Sequence, residues 1–387
     1  MSLRNFRDVL GGDLAGKAFT GLFLLGLLRW LKPADFALLM TLQSVIILAV
    51  TLPSGILNRH YLLTPEAEQD ARSYRALQIG VAGLTSLPVL TIISPQAPWH
   101  AVLTALVCCL AGAWFEFGRT NAQRSGRFDR WARAEALRAL LLLPALLWVL
   151  LPGQTVVSLI LGTQALGYAI ASRLTGHVGG APTRVRGALA AVCNARSLHL
   201  VLYFALVALF GQLPMLLVAA QAPADEMAGF AAAYRYYGLL MSVLSSANVV
   251  ILTKVAAGQG NPNLDLTSLQ RWAAGLLFGG MLIGFQLIPL VDGGKYPTSP
   301  YLFVGLALAL LPGLASAPLA AEMLKAGRGL QLLGSQLAAL LGFCMVFAAP
   351  FPQSSYAATA GVPVACLCQF LILTWLRQRR GQEGMQS

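Results

Sequence analysis

Arg235 stands in the middle of a long apolar stretch that opens near Ala228, just after Asp225 and Glu226. Ten helical residues counted from Asp225 rise about 15 Å, roughly half of a hydrocarbon core about 30 Å thick. A helical Arg235 therefore lies near the midplane of a membrane, too deep to snorkel out. Ionisable groups at that depth are costly and mark substrate or ion pathways. Tyr234, Tyr236 and Tyr237 flank it. Tyr234, Tyr237, Gly238, Met241, Ser245 and Asn248 recur at helical spacing on one face, with Arg235, Ser242 and Ser246 in the adjacent stripe. Such a polar wall suits a water-filled cavity; the alternative is hydrogen bonding between packed helices.

Other charged residues lie nearer the ends of apolar stretches. Lys17 has Asp13 four residues before it, on the same helical face, as an ion-pair partner. Glu116, Arg119, Thr120 and Gln123 share a face, as do Glu322 and Lys325, and Arg59 follows Asn58 at the close of another stretch. These are candidates for gating or coupling, set against ordinary helix-end charge pairs. Gly11-x-x-x-x-Gly16-Lys17 copies most of a phosphate-binding loop, but Ala18 replaces the hydroxyl that would hold Mg²⁺ and no strand precedes it. No hydrolase signature occurs. Glu66, Glu68 and Asp70 read as a solvated face. The histidines His60, His100, His177 and His199 show no metal-ligand spacing, and neither do the six cysteines. No metal, cofactor or catalytic group is expected.

The elements that position these residues are membrane helices. Of 387 residues 57% are hydrophobic and 11% charged, and the mean hydropathy is +0.68. A soluble domain carries about 25% charged residues. Apolar spans are expected at 12–31, 34–57, 76–94, 99–118, 135–151, 154–172, 199–220, 228–253, 272–291, 300–322, 329–349 and 356–376. Turn-forming sequences separate them, as at Lys32-Pro33-Ala34-Asp35, Pro152-Gly153 and Asp292-Gly293-Gly294. Prolines also fall inside spans, at Pro144, Pro214, Pro312 and Pro318, where neighbouring helices or cavity water must satisfy the freed carbonyls. No cleavable leader is visible, so the first helix is expected to stay in place.

The net charge of +12 suggests nucleic acid at first sight. Its distribution argues otherwise, because the cations recur in every second loop rather than in one aromatic-lined patch. Every Lys and Arg except Lys17, Arg29, Lys32, Arg235 and Lys295 falls on one side if the amino terminus is cytoplasmic. Both termini are then cytoplasmic. The longest connection, Gly/Pro-rich and basic, divides the chain into an N-terminal six-helix half (1–176), a linker (177–198) and a C-terminal six-helix half (199–387). The expected fold is an all-α polytopic membrane protein of about 12 transmembrane helices in two six-helix bundles around a central cavity.

Three stretches carry a family resemblance: Gly16-Lys17-Ala18-Phe19 through Leu28-Arg29-Trp30-Leu31-Lys32-Pro33-Ala34-Asp35-Phe36-Ala37; Asn58-Arg59; and Gly229-Phe230-Ala231-Ala232-Ala233-Tyr234-Arg235-Tyr236. With the helix count, they resemble the polysaccharide or O-antigen flippases of the multidrug/oligosaccharidyl-lipid/polysaccharide exporter superfamily. Ala37 stands where that family usually has glycine. The resemblance implies a protein of the bacterial inner membrane that carries undecaprenyl pyrophosphate-linked oligosaccharide from the cytoplasmic to the periplasmic leaflet by alternating access. It implies membrane lipids, a polysaccharide polymerase and a chain-length regulator as partners, and it fits lipopolysaccharide biosynthesis. Arg235, with Lys17 and Arg59, would then meet the pyrophosphate, and Tyr234, Tyr237, Ser245 and Asn248 the sugar. Asp13, Glu116, Arg119 and Glu322 would gate or couple. A cation-coupled multidrug exporter of the same superfamily is the alternative; it would need buried carboxylates, whereas the deepest charge read here is Arg235. A membrane-embedded polymerase or ligase would need a large outer loop, and none exceeds about ten residues, the short range typical of connections.

The charge pattern fixes an outcome for topology. Reporter fusions after Arg184 and Arg379 should read as cytoplasmic, and one within Asp292–Pro297 as periplasmic. A periplasmic signal at Arg379 would require an odd number of spans and remove the six-plus-six arrangement.

Overall fold

A computed structural model describes residues 3–63, 71–93, 97–151, 155–175, 185–192, 198–256 and 262–383. Among them every regular element is helical. The helices are α1 (Leu3–Trp30), α2 (Pro33–Pro53), α3 (Arg59–Leu63), α4 (Ala71–Ile93), α5 (Trp99–Arg124), α6 (Phe128–Leu140), α7 (Val156–Leu174), α8 (Val185–Val192), α9 (Leu198–Phe210), α10 (Leu213–Gln221), α11 (Ala224–Ala256), α12 (Pro262–Asp292), α13 (Ser299–Ala307), α14 (Leu310–Lys325), α15 (Gly329–Phe347) and α16 (Ser354–Glu383). All twelve expected spans fall on these helices. Among the described residues, seven helical stretches are long and apolar enough to cross a membrane, two of them joining α2 to α3 and α13 to α14, and α9 with α10, bent by 47°, make an eighth. The chain is a polytopic, all-α membrane protein.

Breaks occur where proline removes a donor. Pro53 cannot donate to the carbonyl of Ala49, and the helix widens at once into a π-helical turn, Ser54–Asn58. The hydroxyl of Ser54 donates back to the Val50 carbonyl at 2.5 Å and accepts from Gln78 at 2.9 Å, filling part of the disrupted ladder. The span expected at 135–151 is likewise two pieces, α6 and a 3₁₀ segment, Leu143–Leu150, that starts next to Pro144.

Two compact units make up the chain, Met1–Leu216 and Leu217–Ser387. In the first, α5 packs on α7, α2 and α4, and α1 packs on α6. Helix α2 buries Phe36, Leu39, Met40, Leu42, Val45, Ile46 and Ala49, so it is apolar all round and central. Leu84, Leu87 and Ile92 of α4 lie exposed, as lipid-facing residues do. The unit also takes in α9, which packs on α2 and the π-turn, and the border between the compact units falls within α10. In the second unit α15 packs on α16, α16 on α14 and α13, and α11 and α12 on α13 and α14.

One turn occurs in both units. Helix α5 ends with the Gly126 amide donating to the Gln123 carbonyl and the Arg127 amide to that of Ala122, with Gly126 at φ +69°. Helix α14 ends identically: Gly327 donates to Leu324, Arg328 to Met323, and Gly327 has φ +69°. Both are Schellman turns, which need a left-handed residue and hence glycine. Each joins the expected fourth and fifth spans of its half, which supports an internal repeat.

Close helix approach in the first unit depends on Gly112. A Cβ there would lie 2.9 Å from Val50 Cγ2 of α2 and 3.5 Å from Tyr168 Cε2 of α7. Gly112→Val should destabilise the protein by about 1–3 kcal/mol, the usual cost of overpacking. Gly80→Ala on α4, where nothing lies within 4 Å, should be neutral or stabilise by up to about 1 kcal/mol through helix propensity. Thermal unfolding of the two purified variants checks the difference.

Candidate functional site

The polar residues of the first unit converge on one buried ion network. Two Glu-x-x-Arg pairs build it, Glu116/Arg119 on α5 and Glu135/Arg138 on α6, each one helical turn apart on a single face. The tight turn at Gly126 folds α6 back beside α5, and the pairs meet. Arg138 Nη2 lies 2.5 Å from Glu135 Oε1, Arg119 Nη1 lies 3.2 Å from Glu135 Oε2, and the same nitrogen lies 2.8 Å from Glu116 Oε1. Aromatic rings wall the guanidinium groups: Arg119 sits 4.8 Å from the Trp131 ring centroid, and Arg138 5.6 Å from that of Tyr168. Lys17 of α1 adds a third cation close enough to act on Glu135. Gly16 is what lets α1 approach, since a Cβ there would lie 2.9 Å from Glu135 Cγ. The glycine and lysine that mimic a nucleotide-binding loop thus serve this contact.

Access across the network is graded. The side chains of Arg119 and Glu116 are 23% and 26% exposed, those of Arg138 and Glu135 only 14% and 11%. On the α7 side the polar track continues. Tyr168 lies 3.5 Å from the Gln164 amide nitrogen, and Gln164 is hydrogen-bonded to Gln43 of α2. Glu116 lies about 12 Å from the end of α5 at Arg124, and Glu135 about 10 Å from the start of α6, by the helical rise. The network therefore lies within α5 and α6 rather than at their ends, although α6 still carries the exposed Asp129–Arg133 pair in its first two turns.

In the second unit Arg235, Tyr234 and Tyr236 are half-buried on α11 and Tyr237 is buried. The Tyr234 ring lies 5.7 Å from Phe230 and 5.9 Å from Tyr237, and its hydroxyl is an electrostatic neighbour of Arg235. Asp292, at the end of α12, is wholly buried. It accepts from the Gly294 amide at 2.9 Å and from Ser299 Oγ at 3.3 Å, and it neighbours Tyr236 and Tyr296. Glu226 accepts from the Ser355 amide at 2.8 Å and Ser354 Oγ at 3.2 Å, so it caps α16 besides standing at the start of its own helix.

Of the residues singled out from sequence, Glu116, Arg119 and Lys17 come together, and Arg235, Tyr234 and Tyr237 form a second group. Glu322 does not join either cluster in its described contacts. It pairs with Arg377 at 3.7 Å with both side chains nearly half exposed, a surface ion pair of small worth. The side chains of Asp13, Arg59, Ser245 and Asn248 lie outside the described residues. Sequence reading missed Glu135 and Arg138, because it set residue 135 at the membrane edge and counted Arg138 with the loop cations. The recurrence of Glu-x-x-Arg on consecutive spans was the available signal. Asp292, read as turn chemistry, is buried. Among the described residues no group of three or more His, Cys, Asp or Glu could hold a metal ion.

No protein-family model matches the chain, and no curated protein matches it in sequence. Solved structures do match in fold. The lipid II flippase MurJ in an inward closed conformation aligns with a TM-score of 0.73 at 9% identity, covering 97% of this chain and 88% of that one. An inward-facing multidrug resistance transporter of the MATE family and MOP superfamily aligns at 0.64 and 14% identity, covering 100% and 97%. A MOP superfamily transporter from Pyrococcus furiosus, described as having a binding pocket of reversed polarity, aligns at 0.58 and 15%, covering 97% and 94%. The fold is that of the MOP-superfamily transporters.

The graded burial sets a stability contrast. Arg138→Met strips the shut end of the network and leaves Glu135 facing one fewer cation, at a cost of about 3 kcal/mol. Arg133→Met removes a partner of Asp129 from a pair 3.6 Å apart and mostly exposed, and should change stability by less than about 0.5 kcal/mol. Thermal unfolding in detergent measures both. Equal effects would mean that water reaches Arg138 freely.

Proposed function

We propose that the chain is a flippase for an oligosaccharide linked through pyrophosphate to a polyprenyl lipid, the class to which undecaprenyl pyrophosphate-linked repeat units belong. The observation that carries this reading is the set of buried guanidinium groups. Arg119 and Arg138 meet Glu116 and Glu135 in the first unit, with Lys17 acting on Glu135, and the second unit sets Arg235 among tyrosines. Cations buried in a low dielectric favour an anionic cargo, and guanidinium groups match phosphate oxygens in pairs. Tyrosine faces suit sugar rings. The fold likeness to a lipid II flippase supports the same class of substrate, a glycan on a lipid diphosphate.

The charge would ride through the protein while the lipid tail stays in the bilayer. Both termini would be cytoplasmic, residues 1–176 and 199–387 would be the two moving halves, and Glu116 and Arg119 would belong to the gating machinery. Such a protein would work in the bacterial inner membrane beside a polysaccharide polymerase and a chain-length regulator. A cation-coupled drug exporter has two buried carboxylates in its favour, Glu135 and Asp292. Glu135 already holds Arg138 and Arg119, and Asp292 accepts from the Gly294 amide and the Ser299 hydroxyl.

Charge reversal tests the proposal. Arg235→Glu should insert at normal levels and abolish complementation in a strain lacking its glycan flippase. Arg235→Lys should keep about a tenth of the transport rate, since the charge survives without the bidentate fork. Wild-type export by well-expressed Arg235→Glu protein would leave Arg235 structural and remove the anion role assigned to it.

A further inference from the structure

The network in the first unit contains its own anion, and the corresponding position after the matching turn of the second unit is neutral. Glu135 follows the turn glycine Gly126 at the same interval at which Gln336 follows Gly327. Gln336 is also buried, on α15, and accepts from Gln369 of α16 at 2.9 Å. The second half thus packs this position with two neutral amides. The first half places a carboxylate there between two arginines, at the much larger desolvation cost of charge. Helix packing alone does not explain the choice.

Geometry shows how the carboxylate is held. Oε1 is bound tightly by Arg138. Oε2 is buried and lies 3.2 Å from Arg119 without the alignment of a hydrogen bond. The loosely held end faces Arg119, the more exposed of the two arginines. A carboxylate between two guanidinium groups offers them two oxygens and one negative charge. A diphosphate ester offers more oxygens and more charge in the same kind of contact.

We propose that Glu135 is a built-in counter-anion: it holds Arg119 and Arg138 together in the unloaded protein and yields Arg119 to the diphosphate of the lipid-linked substrate. This rests on the flippase reading and deepens it by naming an anion subsite and the residue that tunes it. Glu135 acts here as a positioning residue that competes with the ligand. Removing its charge should therefore strengthen diphosphate binding, an effect that a merely structural carboxylate would not produce.

Full-length protein purified in detergent is titrated with farnesyl diphosphate, farnesyl monophosphate and farnesol. Wild type should bind the diphosphate and prefer it to both others. Glu135→Gln should bind the diphosphate about tenfold more tightly, as expected for removal of one competing charge at contact distance. Asp129→Asn, on an exposed pair of the same helix, should leave the Kd unchanged. If Glu135→Gln does not yield folded protein, Glu116→Gln at the open end of the network carries the test, with a gain of about threefold for a partly screened pair. An unchanged or weaker Kd in the folded carboxylate variant, with a wild type that binds, overturns the counter-anion role and leaves the flippase reading standing. A wild type that binds farnesol as well as the diphosphate, or binds neither, overturns both.

Discussion

Charge inside a membrane must be neutralised within a few ångströms, because no water is present to do it at a distance. That constraint organises the first unit. Four helices deliver a partner to one point: α1 brings Lys17, α5 brings Glu116 and Arg119, α6 brings Glu135 and Arg138, and α7 brings Tyr168. The apolar packing follows from that meeting. Gly16 and Gly112 lack side chains where helices must close on the network, and the Schellman turn at Gly126 sets the pairing of α5 with α6. Leucine and alanine fill what is left, as on any helix of a bundle in lipid.

The internal repeat separates what the fold demands from what function adds. Both halves use the same glycine-capped turn between corresponding spans, and both bury a long polar side chain on the helix that follows. In the second half that side chain is Gln336, matched by Gln369; in the first it is Glu135, matched by arginines. Both positions are buried after the same turn and their chemistry differs, one neutral and one charged. The second half carries its own charge elsewhere, as Arg235 among tyrosines on α11 and as Asp292 capping the turn after α12. The two halves share a frame and differ in the polar groups set into it.

Hydropathy and the alternation of basic loops were enough to find the helices, because the bilayer imposes one length and one solvent on every span. Breaks within spans were less legible. Pro53, Pro144 and Pro214 were visible as residues, but whether proline yields a π-turn, a 3₁₀ segment or a 47° bend depends on which neighbours donate to the carbonyls around it. Beside Pro53 the hydrogen bonds run from Ser54 to the Val50 carbonyl and from Gln78 to Ser54, and Gln78 comes from another helix. The ion network was half legible. Glu116 and Arg119 stood out on one helix face, whereas Arg138 was absorbed into the count of loop cations, since the positive-inside rule does not distinguish an arginine at a loop from one a turn or two deeper. Lys17 was read against Asp13 on its own helix; its action on Glu135 comes from the packing of α1 on α6, which sequence spacing cannot reveal.

The transport proposed above needs an element with two arrangements that the cargo biases, and tight binding alone supplies no bias. On that proposal the ion network is the candidate element. Arg119 has two candidate anions on the protein, Glu116 one turn away on its own helix and Glu135 across on α6. The bond to Glu116 travels with α5, and the contact with Glu135 ties α5 to α6. An incoming anion that takes Arg119 would loosen the second tie and spare the first, so the change in helix contacts would depend on cargo rather than on thermal opening. The chain breaks lie close by in sequence and structure: the 3₁₀ segment continues directly from α6, and the π-turn after α2 packs on α5. Segments with interrupted hydrogen-bond ladders absorb backbone change at lower cost than unbroken helix. The ion network and the interrupted backbone therefore involve the same helices, so on the proposed function a coupling between binding and movement would have a short path.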